Sequence, residues 1–393
     1  MKDENILKEI EEINDEIVAI RRHIHEHPEL SFHESETESF IASKLEEYGI
    51  EFKKGVGGHG VVGLIKAGNG KRTIGLRADM DALPVSEETG LPFSSKVPGV
   101  MHACGHDSHV AMLLGAAKIL AKHQKDLRQN VKFLFQPAEE DGGEGGALPM
   151  IKDGALENPH VDHVFGIHVM SNSPSGTIAI RSGPVMAAPD LFKIDIIGKG
   201  GHGSEPNEAL DPIFIGAQVI NSIYGIRSRF MNQINPLVIS VCMVSSGTKD
   251  NIIPEKMHME GTIRTLDESM RAEVKRKMSE IVPRIIEGFG AKGHISFKEN
   301  AYPVTYNDPA STEKVIEILK TIPQIKVIDI GPIMGGEDVS RFLEKAPGTY
   351  YFMGTRNESK NLVFPNHSSK FAADEDILKY GALSHVLIAL NFE

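Results

Sequence analysis

The stretch TIGLRADMDALP, residues 73–84, decides the fold: a short apolar run closes in a polar loop that carries Asp79 and Asp81. A strand of this kind delivers its last polar side chains to one edge of a sheet. Working outward, VVGLIKAG (61–68) precedes it as another strand, and VKFLFQP (131–137) follows as a buried strand leading to Glu139 and Glu140. VFGIHV (164–169) is a further strand and carries His168, while His109 to Ala121 form an Ala/Leu-rich helix. Strands alternating with helices, with polar residues gathered where strands end, predict an α/β sandwich whose ligand site lies outside the carboxyl edge of the sheet.

The pattern changes near Ala187 and returns near Pro303. Between them the order is strand (LFKIDIIG), helix (PIFIGAQVINSIYGI), two strands (LVISVCMVS and MHMEGTIRTL), helix (RAEVKRKMSEIVPRIIEGFG) and strand (HISFKEN). About four strands and two helices make a small α+β unit. At 393 residues the chain exceeds what one hydrophobic core usually serves, so we assign residues 1–186 and 304–393 to a discontinuous α/β domain and 187–303 to an insertion. Beyond it, VIEILKTI, a glycine loop at Gly335 and Gly336, the strand TYYFMG and a helix from Leu378 to Leu390 resume the α/β order. At the amino end, Ile6, Ile10, Ile13, Ile17, Ile20 and Ile24 recur at helical spacing among acids, an amphipathic surface helix.

A formal net charge of -12 offers no basic surface for counterion release, which argues against nucleic acid as a partner. No apolar run approaches the roughly 20 residues that span a bilayer, and the amino end is no signal peptide, so no membrane is expected and a cytoplasmic location is. The two cysteines, Cys104 and Cys242, sit in unlike settings and do not suggest a disulfide framework.

Four places concentrate metal-capable side chains: MHACGHDSH with Cys104 and His106, QPAEEDGGEGG with Glu139 and Glu140, FGIHVM with His168, and FPNHSSKF with His367. A thiolate, imidazoles and a carboxylate suit zinc and its first-row neighbours manganese, cobalt and nickel. Five donors exceed one tetrahedral zinc, which points to two divalent metal ions about 3.5 to 4 Å apart around a shared water. Adjacent glutamates can divide the work, one as ligand and the other as general base toward that water. Each piece alone has a plainer reading. A cysteine in a glycine-flanked turn is usually a small buried hydrophobe, a histidine on an apolar strand is usually a satisfied core residue, and Asp79 can simply make a turn. Two rival functions stay open at this point: a hydrolase with Cys104 as nucleophile and His106 as its base, and a noncatalytic protein with a closed structural zinc.

RRHIHEHPELSFHESET, GLRADMDALP, MHACGHDSHVAMLLGAA, FLFQPAEE, GIHV, GGHGSEP, NIIPE, GTIRT, MGGEDVSRFLEKAPG and FPNHSSKF run in order across nearly the whole chain. Together they resemble the aminoacylase/carboxypeptidase amidohydrolase subfamily that includes hippurate hydrolases, auxin-conjugate hydrolases and archaeal thermostable carboxypeptidases. The resemblance implies a zinc-peptidase-like catalytic α/β sandwich with an inserted α+β dimerisation domain. It implies that Cys104 bridges two ions, that His106, Glu140, His168 and His367 complete their shells, and that Glu139 is the base. Asp81 would orient a ligand from behind. His202 of GGHGSEP, Asn251 of NIIPE and Arg264 of GTIRT match positions that approach substrate, His202 from the partner subunit of a homodimer, with a tetramer left open. Arg264 can also be an ordinary exposed strand arginine, and Glu337 of GGED supports the site or caps the helix after it. The implied reaction is hydrolysis of the amide bond of N-acyl-L-amino acids or small peptides with a free carboxylate. Glu205 and Asn207 stand where many relatives have His or Gln, and Pro149 stands where a less rigid residue is common. These departures bear on the acyl or side-chain pocket and leave the metal ligands intact.

Overall fold

In the computed structural model, which describes residues 3–68, 70 and 72–393, the chain divides into two units. One comprises residues through Val185 with Tyr306–Gly331 and Asp338–Glu393, the other Met186–Thr305 with Pro332–Glu337. The first unit is built on an eight-stranded sheet. Its strands lie in the order Glu51–Val56, Gly60–Ile65, Asn130–Gln136, Thr73–Asp79, His163–Pro174, Gly348–Arg356, Thr177–Ile180 and Lys326–Asp329. The four middle strands, from Asn130–Gln136 to Gly348–Arg356, are parallel. Thr73–Asp79 and Asn130–Gln136 are buried along their whole length, as parallel strands covered on both faces must be.

Thr73–Asp79 has the later strand Asn130–Gln136 on one side and the still later His163–Pro174 on the other. The chain therefore reverses direction across the sheet at this strand, and a reversal of that kind opens a crevice at the carboxyl ends. Register places Asp79 beside Gln136, and two residues beyond the Arg77–Gly166 pair come Asp79 and His168. His168 thus enters the site from within a long strand rather than from a strand end.

The helices Asn14–Glu26, His106–Lys122 and Leu378–Asn391 pack on one another, and His106–Lys122 also lies on the central strands. A Cβ built on Gly381 would fall 1.9 Å from Met112 Sδ, so glycine is what permits the close crossing of the last two helices. The amino-terminal isoleucines do not lie on one helix. Asp3–Glu12 and Asn14–Glu26 are separate, because Ile13 leaves helical geometry at φ -102° and ψ 6°. Ile6, Ile10, Ile17, Ile20 and Ile24 are all buried, and each side chain of this size contributes roughly 1.5–3 kcal/mol.

The second unit is a four-stranded antiparallel sheet in the order Leu237–Ser246, Lys256–Thr265, Ala188–Ile197, Lys292–Phe297. The helices Pro212–Phe230 and Glu268–Gly288 bury Ile215, Val219, Ile223, Val274, Met278 and Val282 in a core shared with the sheet residues Ile194 and Met259. Asp211 and Asp267 cap these helices by accepting the amides of Ile213 and Met270. This unit differs from the 187–303 reading by its returning segment. Ala187 N–H reaches the carbonyls of Ile333 and Gly335 at 3.0 and 2.9 Å, which ties the glycine loop to the insertion's first strand.

Candidate metal centre

Cys104, Gly105 and His106 form the turn into the helix His106–Lys122. Gly105 adopts φ 94°, and a Cβ there would fall 2.4 Å from Val169 Cγ2, so only glycine lets this turn lie against the His168 strand. Cys104 Sγ then stands 3.3 Å from His168 Nε2 and 3.3 Å from His367 Nε2. Glu140 Oε1 is 3.4 Å from His367 Nε2 and 3.9 Å from His106 Nε2. The donor atoms of Cys104, His106 and His168 lie within 4.8 Å of one another, and so do those of Cys104, Glu140 and His367. Two donor triads thus share one sulfur. Glu139 joins a third group with His106 and Glu140.

Each imidazole is oriented by what holds its far nitrogen. His106 donates Nδ1–H to Asp81, 3.0 Å to the carbonyl and 3.1 Å to Oδ1, which turns Nε2 toward the cluster. His168 donates Nδ1–H to Val169 O at 2.7 Å and likewise presents Nε2. His367 sits at φ 70°, a left-handed conformation that is costly for a side-chain-bearing residue. Its own N–H donates to Ala103 O at 2.7 Å. Asn366 beside it donates to the carbonyls of Cys104 and Val169 at 2.9 and 3.2 Å. His109 is different: Val169 N–H donates to its Nε2 at 2.9 Å and its Nδ1–H donates to Asp79. Both ring nitrogens are used, so His109 buttresses Asp79 and has no lone pair left for an ion.

Behind the donors lies a buried ionic group. Arg77, wholly buried, donates to Asp79 Oδ2 at 2.7 Å, Asp338 Oδ1 at 3.0 Å and Gln136 Oε1 at 2.8 Å. Asp79 Oδ2 in turn lies 3.5 Å from His106 Nε2. Burial alone would depress the imidazolium of His106, but Asp79, Asp81 and Glu140 override it and raise the group to about 10. Burial, then the charges of Glu140, Glu139 and Asp79, push the Cys104 thiol up. His168 is driven down by burial and by His109. His106 Nε2 and Glu140 Oε1 are buried with no hydrogen-bond partner. A buried imidazole nitrogen and a buried carboxylate oxygen 3.9 Å apart, neither with a hydrogen-bond partner, leave a cation as the group that would satisfy both, so these residues fit divalent ions.

The remaining sequence candidates lie in the second unit. His202 is in the short strand Gly201–His202, paired with Ile252–Ile253, and its Nδ1 accepts from Ser204 N–H and Oγ–H at 3.2 and 2.8 Å. Asn251 O accepts Gly203 N–H at 2.9 Å, which makes Asn251 and His202 neighbours. Arg264 is half-buried on Lys256–Thr265 opposite Val238 and Pro189, and Glu337 is buried in the returning segment. Sequence reasoning missed Arg77, His109 and Asn366. The signals were a charge on a buried strand two residues before Asp79, a histidine one helical turn from His106, and an amide next to His367.

An α/β unit with a donor cluster at its switch point and a separate α+β insertion defines a class of metal-dependent hydrolase. Residues 75–391 match Peptidase family M20/M25/M40, and the chain belongs to that family, a group of hydrolases acting on amide bonds. It is 53% identical over 390 residues to thermostable carboxypeptidase 1 of Saccharolobus solfataricus, covering 99% of this chain and 98% of that one. It is 44% identical over 309 residues to the N-acyl-L-amino acid amidohydrolase of Geobacillus stearothermophilus, covering 78% and 82%. The Bacillus subtilis YXEP protein, described as a dinuclear metal binding peptidase from the M20 family, superposes with a TM-score of 0.84 at 34% identity over 97% of this chain and 98% of that one.

Proposed function

We propose that this chain hydrolyses the amide bond of N-acyl-L-amino acids or small peptides with a free carboxylate, using two divalent ions. The observation that carries this is the pair of donor triads sharing Cys104 Sγ, with Glu139 beside them. Cys104, common to both triads, would hold the ions together with His106, His168, Glu140 and His367. The bound ions would supply the Lewis acidity that polarises the scissile carbonyl and lowers the pKa of the attacking water. Glu139, largely buried beside that position, takes the proton of the water and returns it to the departing amine. Asp81 keeps His106 in the tautomer that leaves Nε2 bare. In the second unit, His202 and Asn251 supply donors for the oxyanion and Arg264 a guanidinium whose fork matches a carboxylate.

Among the described residues no helix is long and apolar enough to cross a membrane, and both cysteines are free. The unpaired thiols support our placing the enzyme in the reducing cytoplasm. We read the strand Leu237–Ser246 as the self-association edge: it ends its sheet and leaves Cys242, Met243 and Val244 exposed, and a second copy would extend the ladder there.

The cysteine-nucleophile reading is the weaker one, because the groups around Cys104 favour the thiol over the thiolate and the imidazoles 3.3 Å from its sulfur are those of His168 and His367 rather than His106. The experiment is dialysis against a strong chelator followed by assay on N-acetyl-methionine and benzoyl-glycine, with Glu139→Gln assayed beside the metal-loaded wild type. Activity should vanish with the metal and return on its addition. Glu139→Gln should lose about 10²- to 10⁴-fold in kcat. Full turnover without metal would end the proposal.

A further inference from the structure

The short turn Glu139–Asp141 is anchored on both flanks of Glu139 by carboxyl groups from other parts of the chain. On one side Glu140 N–H donates to Asp81 Oδ2 at 2.9 Å. On the other, Ala138 N–H donates to Glu34 Oε1 at 2.7 Å, across 104 residues of sequence. Ala138 stands at φ 51°, a left-handed conformation that costs an alanine of order 1–3 kcal/mol unless its surroundings enforce it. Glu34 is fully buried, and its second oxygen, Oε2, has no hydrogen-bond partner. Burial and the charge of Asp81 raise its carboxyl to about 7.

Besides Ala138, the local amides of Phe32 and Glu34 itself bear on this carboxyl, yet a buried acid with one idle oxygen is an expensive group to place there, and its position needs a reason. The whole segment around it is built onto the same place. Ala82 N–H donates to Glu29 O at 2.8 Å, and Ser31 Oγ–H donates to Asp81 Oδ2 at 2.7 Å. The Glu29 side chain accepts the amides of Glu36 and Thr37 at 3.0 and 2.8 Å, fixing the start of the helix Ser35–Glu47 immediately after Glu34. A rigid frame thus holds Glu34 against the bend one residue before Glu139.

We propose that Glu34 is a positioning residue for the reaction: by holding Ala138 N–H it maintains the left-handed bend that aims the Glu139 carboxylate. The role rests on Glu139 acting as the base. Misplacement of a reacting group by about 1 Å costs on the order of 10²-fold in rate, and a slackened bend would permit that much.

The test compares Glu34→Gln, Glu34→Ala and Glu34→Asp with wild type in the full metal-loaded chain, on a substrate that the wild type turns over. Wild-type turnover is the control: its absence would strike the hydrolase reading itself and not this one. Glutamine keeps an acyl oxygen for the Ala138 amide, so Glu34→Gln should stay within about 3-fold of wild-type kcat. Alanine removes the acceptor and aspartate withdraws it, and both should lose about 10- to 100-fold in kcat with KM and bound-metal equivalents unchanged. Aspartate decides the matter if the alanine variant fails to fold. Retention of kcat by aspartate, a loss with Gln equal to that with Asp, or a loss confined to KM or to metal content would each overturn the proposal.

Discussion

Replacing Asp81 by asparagine should strip the protein of metal by changing a tautomer rather than by removing a ligand. The Asp81 carboxylate receives three donors, His106 Nδ1–H on Oδ1 and both Ser31 Oγ–H and Glu140 N–H on Oδ2. Asparagine has one acceptor oxygen and one donor nitrogen in their place. If its oxygen keeps Ser31 and Glu140, its NH₂ faces His106 Nδ1, competes with the bond from that nitrogen to the Asp81 carbonyl, and shifts the balance toward the tautomer that protonates Nε2, the atom aimed at the cluster. If its oxygen turns to His106, the Glu140 amide meets a donor and the turn bearing Glu139 and Glu140 loosens. Either way the cost falls on the metal. Loss of a group that orients a metal-bound imidazole weakens affinity about 10- to 100-fold, or about 1.4–2.7 kcal/mol. Competition against a chromophoric chelator, at fixed pH and with wild type alongside, measures that ratio directly. An Asp81→Asn protein whose two metal affinities lie within 2-fold of wild type would show that Asp81 does not govern the His106 tautomer.

Arg77→Met leaves Asp79 and Asp338 as buried charges without their guanidinium, so it should destabilise the protein by about 3–5 kcal/mol and lower the thermal midpoint by about 4–9 °C. Calorimetry of metal-free protein checks this, and a fall under about 1 kcal/mol would contradict it. His385, buried in the helix Leu378–Asn391, is held down to about 3 by burial and by His109. The unfolded chain therefore protonates it near 6.5 while the fold keeps it neutral, and this imidazole weakens the fold as pH drops from 6.5 toward 3, by up to about 1.4 kcal/mol per pH unit. His385→Leu should lose that dependence, so urea midpoints at pH 7 and pH 5 should differ less in the variant than in wild type.

The donors were legible because each stands in a string that breaks a local rule. A cysteine and a histidine flank one glycine in MHACGHD, and a paired glutamate follows a buried strand instead of facing solvent. Periodicity likewise fixed the strands and helices of the insertion, since its sheet buries alternate residues, as Ala188–Ile197 does from end to end. What was hidden depends on packing between distant segments. Glu34 reads no differently from Glu36 and Glu38 beside it, yet it is buried while Glu36 is exposed and Glu38 half-buried, because its position in the turn before the helix faces inward. The pairing of Ala187 with Ile333 and Gly335 joins parts of the chain that no local pattern connects.

The charges of the site explain why its donors alone make a poor resting state. Arg77 sets its guanidinium between Asp79 and Asp338, while Asp81, Glu139, Glu140 and the Cys104 sulfur lie beside or beyond them, all but Glu140 buried. So many anions in a medium of low dielectric require positive charge beside them, and, against burial, Arg77 and His106 hold Asp79 and Asp81 below the usual carboxylate range. Without ions the site takes up protons instead: His106 is raised to about 10, the Cys104 thiol is pushed up, and nearby Glu34 is raised to about 7. Two divalent cations held by Cys104, His106, Glu140, His168 and His367 would supply four positive charges in place of those protons. Metal loading and proton release are then one event, and the buried carboxylates that look destabilising in the bare chain are what make the loaded one hold its ions.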